Sequence, residues 1–187
     1  MNGGHLPPTS VPWRHGGFTL IELMVTVAIV AVLAMVAAPS MRDFVIRNRS
    51  SAASNEFVGS VLRARNEAAS RNSCVTMCVS SDGASCVGAA ETAWNKGWIV
   101  YSNPACDASV VNPAATDVLL TTSALNTDYT VTGPGGLIFF SATGRPRSTD
   151  VGAFNVRYQT STRSSNRTIC VSPLGRTLTV TYGATCP

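Results

Sequence analysis

Residues 16–39 have the sequence GGFTLIELMVTVAIVAVLAMVAAP. A short polar leader ends in Gly16-Gly17, and an apolar run of about 20 residues follows, which is long enough to cross a bilayer as a helix. One acid, Glu22, interrupts this run. Because a carboxylate inside a membrane costs free energy unless it is paired, Glu22 is expected to have a partner.

An ordinary signal anchor with a stray acid is the simplest alternative for this segment. A cleaved secretory signal peptide fits less well, because the apolar run is too long and no A-x-A-like site follows it at the right place.

The motif G-F-T-L-I-E-L at Gly17–Leu23 resembles the processing site of type IV pilins and type II secretion pseudopilins. The resemblance implies that prepilin peptidase cuts between Gly17 and Phe18 and methylates the new amino terminus of Phe18. It also implies that Glu22 meets the Phe18 amine of a neighbouring subunit inside a filament. Such a pair neutralises two charges that an apolar environment would otherwise penalise.

The chain has 187 residues, which is enough for a leader, one membrane helix and one modest globular domain. We expect a leader over 1–17, a transmembrane and assembly helix over 18–39, the soluble half of that helix over 40–71, and a β-rich domain over 72–187. Proline at position 39 predicts a kink or local melting of the helix. Arg14 in the leader would stay cytoplasmic under the positive-inside rule, with the carboxy-terminal domain in the periplasm.

The second half of the helix carries one apolar stripe. Phe57, Val61, Ala64 and Ala68 repeat at i, i+4, i+7 and i+11. We interpret the stripe as the surface that packs on the globular domain.

Short β-rich stretches follow residue 72, separated by Gly, Pro, Asn or Asp. Their pattern predicts an α+β fold, with the long helix packed on a small antiparallel β-sandwich-like domain. The loop from Asn103 to Asp117 is long and rich in Ala, Asn and Pro, so we expect a mobile surface loop. The seven predicted strands are Cys74–Val79, Gly97–Tyr101, Val118–Thr121, Leu137–Phe140, Phe154–Tyr158, Thr168–Val171 and Thr177–Tyr182.

All 6 cysteines lie after residue 73, and an even number beyond a membrane segment suggests disulfides formed in the periplasm. Counting alone allows about 15 pairings. Cys78 and Cys86 flank a turn-rich hexapeptide, and Cys170 and Cys186 flank a predicted hairpin turn; these two local pairs leave Cys74 with Cys106 by elimination. Zinc is the rival interpretation, but both histidines lie in the leader, so no metal site is expected.

Several longer segments resemble the GspH/FimT family of minor pilins and pseudopilins, and the resemblance covers nearly all of the mature chain. It implies the type IV pilin fold. Members of this family serve type IV pilus priming, type II secretion or DNA uptake. The segments are Leu62–Asn72, Val75–Gly83, Trp94–Tyr101, Phe140–Arg145 and Arg167–Arg176.

The sequence lacks the patterns of an enzyme. The mature chain has no histidine, no G-x-S-x-G elbow and no Gly-Lys-Ser/Thr phosphate loop. The glycine-rich stretch Gly133–Gly136 precedes a strand and is interpreted as a turn. We expect no catalytic residues and no cofactor.

Charge is unevenly distributed. Residues 72–143 hold five acids and one base, a net charge of −4, whereas residues 144–187 hold six arginines and one acid, a net charge of +5. The last quarter of the chain is therefore either a solvated basic face or a surface for an anionic partner.

In DNA-binding members of the family, a G-R-x-R pattern near the carboxy terminus presents arginines to phosphates. Gly175-Arg176 matches its start, but Leu178 replaces the second arginine; a literal G-R-P-R stands at Gly144–Arg147 and could substitute if the two turns lie side by side. Arg157 brackets the same basic region. The candidate DNA-binding residues are Arg145, Arg147, Arg163, Arg167 and Arg176.

These patterns favour a subunit that assembles with other pilins or pseudopilins in the inner membrane, with a priming or tip role in a type IV pilus. A type II secretion pseudopilin and a DNA-uptake pilin are the alternatives. The assembly residues are Phe18, Glu22 and Pro39; the expected partners are other subunits, prepilin peptidase, the inner membrane and, in the third case, DNA.

Overall fold

The computed structural model describes residues 17–159 and 165–187. The predicted leader, apart from Gly17, lies outside the described residues. The chain divides into two compact units between Arg42 and Asp43.

The first unit contains the start of helix α1, which extends over Leu20–Arg71. Its apolar part, Leu20–Ala37, has 18 residues and a mean hydropathy of 2.7, and none of it is buried. By length and composition this part could cross a membrane. The helix continues through position 39, so the predicted local melting does not occur; a kink stays a prediction.

The second unit contains the rest of α1 and eight strands that form two four-stranded antiparallel sheets. The orders are β3-β2-β1-β5 and β4-β6-β7-β8. This confirms the α+β prediction of a long helix on a sandwich-like β domain. The strands are β1 Val75–Val79, β2 Trp98–Ser102, β3 Val118–Thr122, β4 Tyr129–Thr132, β5 Leu137–Phe140, β6 Gly152–Tyr158, β7 Arg167–Val171 and β8 Thr177–Thr181.

Strand β4 was absent from the sequence prediction. It has only four residues and alternates buried Tyr129 and Val131 with exposed Thr130 and Thr132. It pairs with β6, a strand that lies some twenty residues further along the chain, so its partner is not a sequence neighbour.

The apolar stripe of α1 is fully buried: Phe57, Val61, Ala64 and Ala68 all have 0% exposure. They belong to one core cluster with side chains from both sheets. Burial of this stripe removes apolar surface from water, which is the main favourable contribution to folding. The stripe is therefore the packing surface that its helical spacing predicted.

Phe57 lies at the centre of an aromatic cluster. Its ring centroid is 4.8 Å from that of Phe154, 5.3 Å from Trp94 and 5.6 Å from Trp98. The Trp98 indole donates a hydrogen bond to Ser60 Oγ at 2.9 Å, so its buried N–H is satisfied within the same helix–sheet contact.

Three disulfides join Cys74 with Cys106, Cys78 with Cys86, and Cys170 with Cys186. These are the same pairs that local sequence and elimination suggested.

The loop from Asn103 to Asp117 was expected to be mobile, but the structure attaches it to the sheet at several points. Cys106 is bonded to Cys74, and the Asn103 amide donates to Thr76 Oγ1 and to the Asp107 carbonyl. The Tyr101 hydroxyl donates to the Val110 carbonyl. These contacts constrain the loop on both sides of Cys106.

Candidate functional site

The residues around the predicted processing bond are accessible. Phe18 is 84% exposed. A Cβ atom added to Gly17 would have no other atom within 4 Å. The peptide bond between them precedes the first helical residue, Leu20. This bond therefore lies outside the hydrogen-bonded helix.

Glu22 takes part in the first turn of α1. Its backbone N–H donates to Thr19 Oγ1 at 3.3 Å, and its carboxylate accepts from the Thr19 N–H at 3.4 Å. This reciprocal arrangement is a capping box, with Thr19 as the N-cap and Glu22 three residues later. Among the described residues, the carboxylate makes no ion pair.

The side chains that surround Glu22 along α1 are apolar and exposed. Leu20, Ile21, Leu23 and Met24 are each between 60% and 77% exposed. Such a surface is stable only when lipid or other protein covers it.

The two Gly-Arg turns that the sequence placed in separate loops lie side by side. A Cβ atom added to Gly175 would lie 3.2 Å from the Gly144 carbonyl oxygen and 3.2 Å from Pro146 Cδ. Both glycines have positive φ angles, +72° at Gly144 and +70° at Gly175, a conformation that favours glycine. The first turn follows β5 and the second joins β7 to β8.

Arg65 of α1 lies against both turns. Its guanidinium approaches the Gly175 carbonyl at 3.5 Å, and its own carbonyl oxygen would lie 3.0 Å from a Cβ at Gly144. Arg145 and Arg176, the residues that follow the two glycines, are exposed. Arg65 is not among the candidate arginines predicted from the sequence, and only the meeting of the helix with both turns identifies it as a third basic residue here.

The other candidate arginines are engaged with the rest of the chain. Arg147 forms a double hydrogen-bonded ion pair with Asp150 at 2.9–3.0 Å, and Arg157 lies over the Tyr182 ring. Arg167 donates to the Asn166 carbonyl. Arg163 lies outside the described residues. The structure therefore holds Arg147 against Asp150 and Arg167 against the Asn166 carbonyl, and the DNA-binding role of the five arginines stays a prediction.

A second polar cluster occupies the loop closed by Cys78 and Cys86. The Ser85 side chain, the N–H groups of Ser85 and Ala84, and the Ser80 hydroxyl all donate to Asp82. These hydrogen bonds, the Ser85 side chain first, hold the pKa of the Asp82 carboxyl well below its usual range. The carboxylate serves to order the loop, and no group of metal-ligating residues is found among the described residues.

Comparison with solved structures shows the fold. The type IV minor pilin FimU of Pseudomonas aeruginosa, in two crystal forms, superposes with TM-scores of 0.57 and 0.54. The sequence identities are 19% and 18%; the matches cover 77% and 73% of this chain and 99% of the FimU chain.

A curated relative matches a short stretch of this chain. The fimbrial protein EcpC of Eikenella corrodens is 51% identical over 39 residues, which are 21% of this chain and 26% of that protein. The chain thus matches about a quarter of the relative's length.

Two family models match this chain. The model described as prokaryotic N-terminal methylation motif covers residues 14–38, which include the capping box and most of the apolar helix. The model described as type II transport protein GspH covers residues 53–175, which include the buried stripe and seven of the eight strands. The chain therefore belongs to the GspH family of minor pilins and pseudopilins and carries their amino-terminal methylation motif.

Proposed function

We propose that this chain is an assembly subunit of a type IV pilus, with a role in priming the filament or at its tip. One observation carries the proposal: an exposed apolar helix bears a single carboxylate, Glu22, just after an accessible Gly17–Phe18 bond. In the proposed sequence of events, prepilin peptidase cleaves this bond and methylates the Phe18 amine. The apolar helix then leaves the lipid and enters the filament core.

Within the filament, Glu22 pairs with the Phe18 amine of a neighbouring subunit. The capping box gives Glu22 a second, purely local role, because it already accepts a hydrogen bond from the Thr19 N–H. The two roles are separable by substitution. Glutamine can replace glutamate in a capping box but carries no charge, whereas alanine removes both functions.

The test compares Glu22→Gln with Glu22→Ala in cells that assemble the filament. If the charge pair sets subunit register, both variants are cleaved normally but enter filaments poorly, as measured by immunoblotting of sheared filaments. Normal incorporation of Glu22→Gln would show that capping alone suffices and would contradict the pairing. Gly17→Ala is the control for processing: it should keep the leader, visible as an unshifted mass of the intact chain.

We propose that the domain from Asp43 onward lies in the periplasm, since three disulfides require an oxidising compartment. The positive-inside rule does not support this orientation: Arg14 precedes the apolar span, whereas Arg42, Arg47 and Arg49 follow it. We give the three disulfides more weight than the distribution of arginines around the apolar span, because they form within the domain and so indicate the compartment in which it lies. Thiol labelling of the intact chain that finds six free cysteines in cells would overturn the orientation.

A type II secretion pseudopilin is the alternative within the same class. The two roles differ in phenotype: loss of a pilus subunit abolishes surface pili and leaves exoprotein secretion intact, and loss of a pseudopilin does the reverse. Deletion of the gene, with both readouts in the same strain, separates them. We favour the pilus because the domain is rich in disulfides, which suit an exposed filament.

DNA binding is a second candidate function, and one observation favours it. The Gly144–Arg145 and Gly175–Arg176 turns meet beside Arg65, so three guanidinium groups can follow one phosphate backbone. Such contacts give salt-sensitive, sequence-independent affinity. The test titrates the detergent-solubilised full chain with duplex DNA at several salt concentrations.

Under this candidate function, the double substitution Arg145→Gln/Arg176→Gln lowers the affinity and the slope of its salt dependence. Arg63→Gln, at an exposed position on the same helix as Arg65, is the matched control and leaves both unchanged. Equal losses in the control and the double variant, or no binding at low salt, would remove DNA uptake and leave assembly alone.

A further inference from the structure

The four edge strands of the two sheets differ in how their outer backbone groups are covered. An uncovered edge exposes a row of N–H and C=O groups that can pair with another chain, so soluble proteins normally block edges with charges, prolines, bulges or overlying chain. In this domain the edges are β3, β5, β4 and β8.

Three of these edges are blocked. The outer groups of Phe139 in β5 bond to Arg147 N–H and to Asp150. Strand β4 is bridged by the segment that contains Ala93. Strand β3 itself carries a bulge, because Val100 pairs with Leu120 and Tyr101 with Val118, and its Thr121 hydroxyl donates to the Gly83 carbonyl of an adjacent loop.

The outer edge of β8 is open. The β7–β8 pairing runs over five consecutive residues, without a bulge. Ser172 N–H donates to the Arg176 carbonyl, and because hydrogen-bonded pairs alternate along an antiparallel ladder, Leu178 and Val180 bond to β7. The N–H and C=O groups of Thr177, Thr179 and Thr181 therefore point outward. Among the described residues, the one backbone bond to them from outside β7 comes from the Ala184 N–H to the Thr181 carbonyl.

The side chains of β8 also favour pairing with another strand. The strand, TLTVT, has neither charge nor proline, and Leu178 on its outer face is 50% exposed. β-Branched and apolar residues of this kind favour strand pairing. β8 therefore lacks a charge, a proline and a bulge, three of the devices that prevent edge pairing.

We propose that β8 is a docking edge, to which an extended, uncharged segment of a neighbouring pilin-like subunit adds as a fifth strand of the β4-β6-β7-β8 sheet. Main-chain hydrogen bonds to the outward groups of Thr177 and Thr179 hold the segment, and Leu178 contacts its side chains. The inference rests on the proposed assembly function, which supplies the neighbouring subunit. A second copy of this chain, paired β8 to β8, is the competing occupant and an outcome of the test.

The first test follows amide hydrogen exchange in the full chain, solubilised in detergent and then assembled in filaments. In the free chain the Thr179 amide exchanges fast and the Leu178 and Val180 amides exchange slowly. In the filament the Thr179 amide exchanges at least about tenfold more slowly, as expected from one gained hydrogen bond. Unchanged exchange at Thr179 in chains that have entered filaments overturns the docking edge and leaves the assembly function standing; failure to enter filaments at all overturns both.

The second test places a photocrosslinking amino acid at position 179 of the full chain in cells. The expected product joins position 179 to an uncharged strand of another subunit, identified by mass spectrometry of the crosslinked peptides. A product between two copies of this chain supports self-pairing and overturns the proposal, and so does a yield no greater than that from position 130. Thr130 is the matched control, because it is an exposed threonine on the blocked edge strand of the same sheet.

A blocking substitution completes the test. Thr179→Lys places a charge on the open edge and should reduce the yield of a crosslink from position 177 about tenfold. Thr179→Val keeps the N–H and should not reduce it. Loss of the product in both variants would show that the threonine side chain, and not the backbone, is recognised.

Discussion

Both parts of α1 are helical, but they differ in whether the rest of the chain covers their apolar side chains. Over residues 20–37 the apolar side chains are distributed all around the helix and are exposed. From Asp43 onward one stripe, formed by Phe57, Val61, Ala64 and Ala68, is buried completely in the β domain, whereas other apolar side chains such as Phe44 stay exposed. A helix that is apolar on every side needs lipid or other subunits around it, whereas a striped helix is satisfied by its own chain. The difference separates a part whose apolar surface the chain leaves exposed from a part whose apolar stripe the chain buries itself.

The largest effect on stability is expected from Phe57→Ala. Phe57 contacts three aromatic rings in the core, so its loss should lower the free energy of unfolding by about 3–5 kcal/mol. The measurement is chemical denaturation of the detergent-solubilised chain, followed by tryptophan fluorescence. Phe44→Ala, at a position that is 58% exposed on the same helix, should change the unfolding free energy by less than about 0.5 kcal/mol. Equal losses would show that the face of the helix does not decide stability.

Removal of the Cys74–Cys106 bridge comes next. It closes a loop of 32 residues, against 8 for Cys78–Cys86. The chain-entropy relation gives losses of about 3.7 and about 2.5 kcal/mol when the cysteines are replaced by serine in pairs. Thermal unfolding in detergent should rank the variants in this order. Neither pair should affect membrane insertion of residues 20–37, and reduced insertion would contradict the independence of the two parts.

A smaller effect is expected from Ser60→Ala. This change leaves the buried Trp98 N–H without its partner and should destabilise the domain by about 1–3 kcal/mol. Ser40→Ala is the matched change outside the β domain: the Ser40 hydroxyl bonds back to the Ala37 carbonyl on an exposed turn. Its effect on the unfolding free energy should lie within about 0.5 kcal/mol of zero. A loss as large as that of Ser60→Ala would contradict the assignment of the Ser60→Ala effect to the buried Trp98 N–H.

The smallest effect is expected from Asp82→Asn, and it depends on pH. Hydrogen bonds lower the pKa of Asp82 in the folded state, so the ionised carboxylate stabilises the fold at all pH values above the unfolded aspartate pKa of about 3.9. As the pH falls below about 4, the unfolded chain gains a proton first and the stabilisation is lost progressively. Thermal unfolding should show the variant less stable than the parent at neutral pH, with a gap that narrows in acid. A gap that widens in acid would reverse the assigned sign.

The helix end, the buried stripe and seven strands follow from local patterns, because apolar periodicity and turn residues report directly on which side chains can be buried. Strand β4 was missed, because four residues that pair with a distant strand give little local signal. The candidate arginines show the same limit. Their charge predicts a basic region, but sequence cannot show that Asp150 neutralises Arg147 or that Tyr182 lies under Arg157.

The sequence by itself determined the processing motif, the apolar helix with its single acid, and the two local disulfide pairs, since each depends on residues close together along the chain; the Cys74–Cys106 pair followed from the sequence by elimination alone and is established by the structure. Only the tertiary structure decided that the turns at Gly144 and Gly175 meet beside Arg65, and that β8 is the one edge left open among the described strands. Both facts depend on contacts between segments far apart in the chain. Such contacts are set by the packing of the whole core, and no local pattern of residues encodes them.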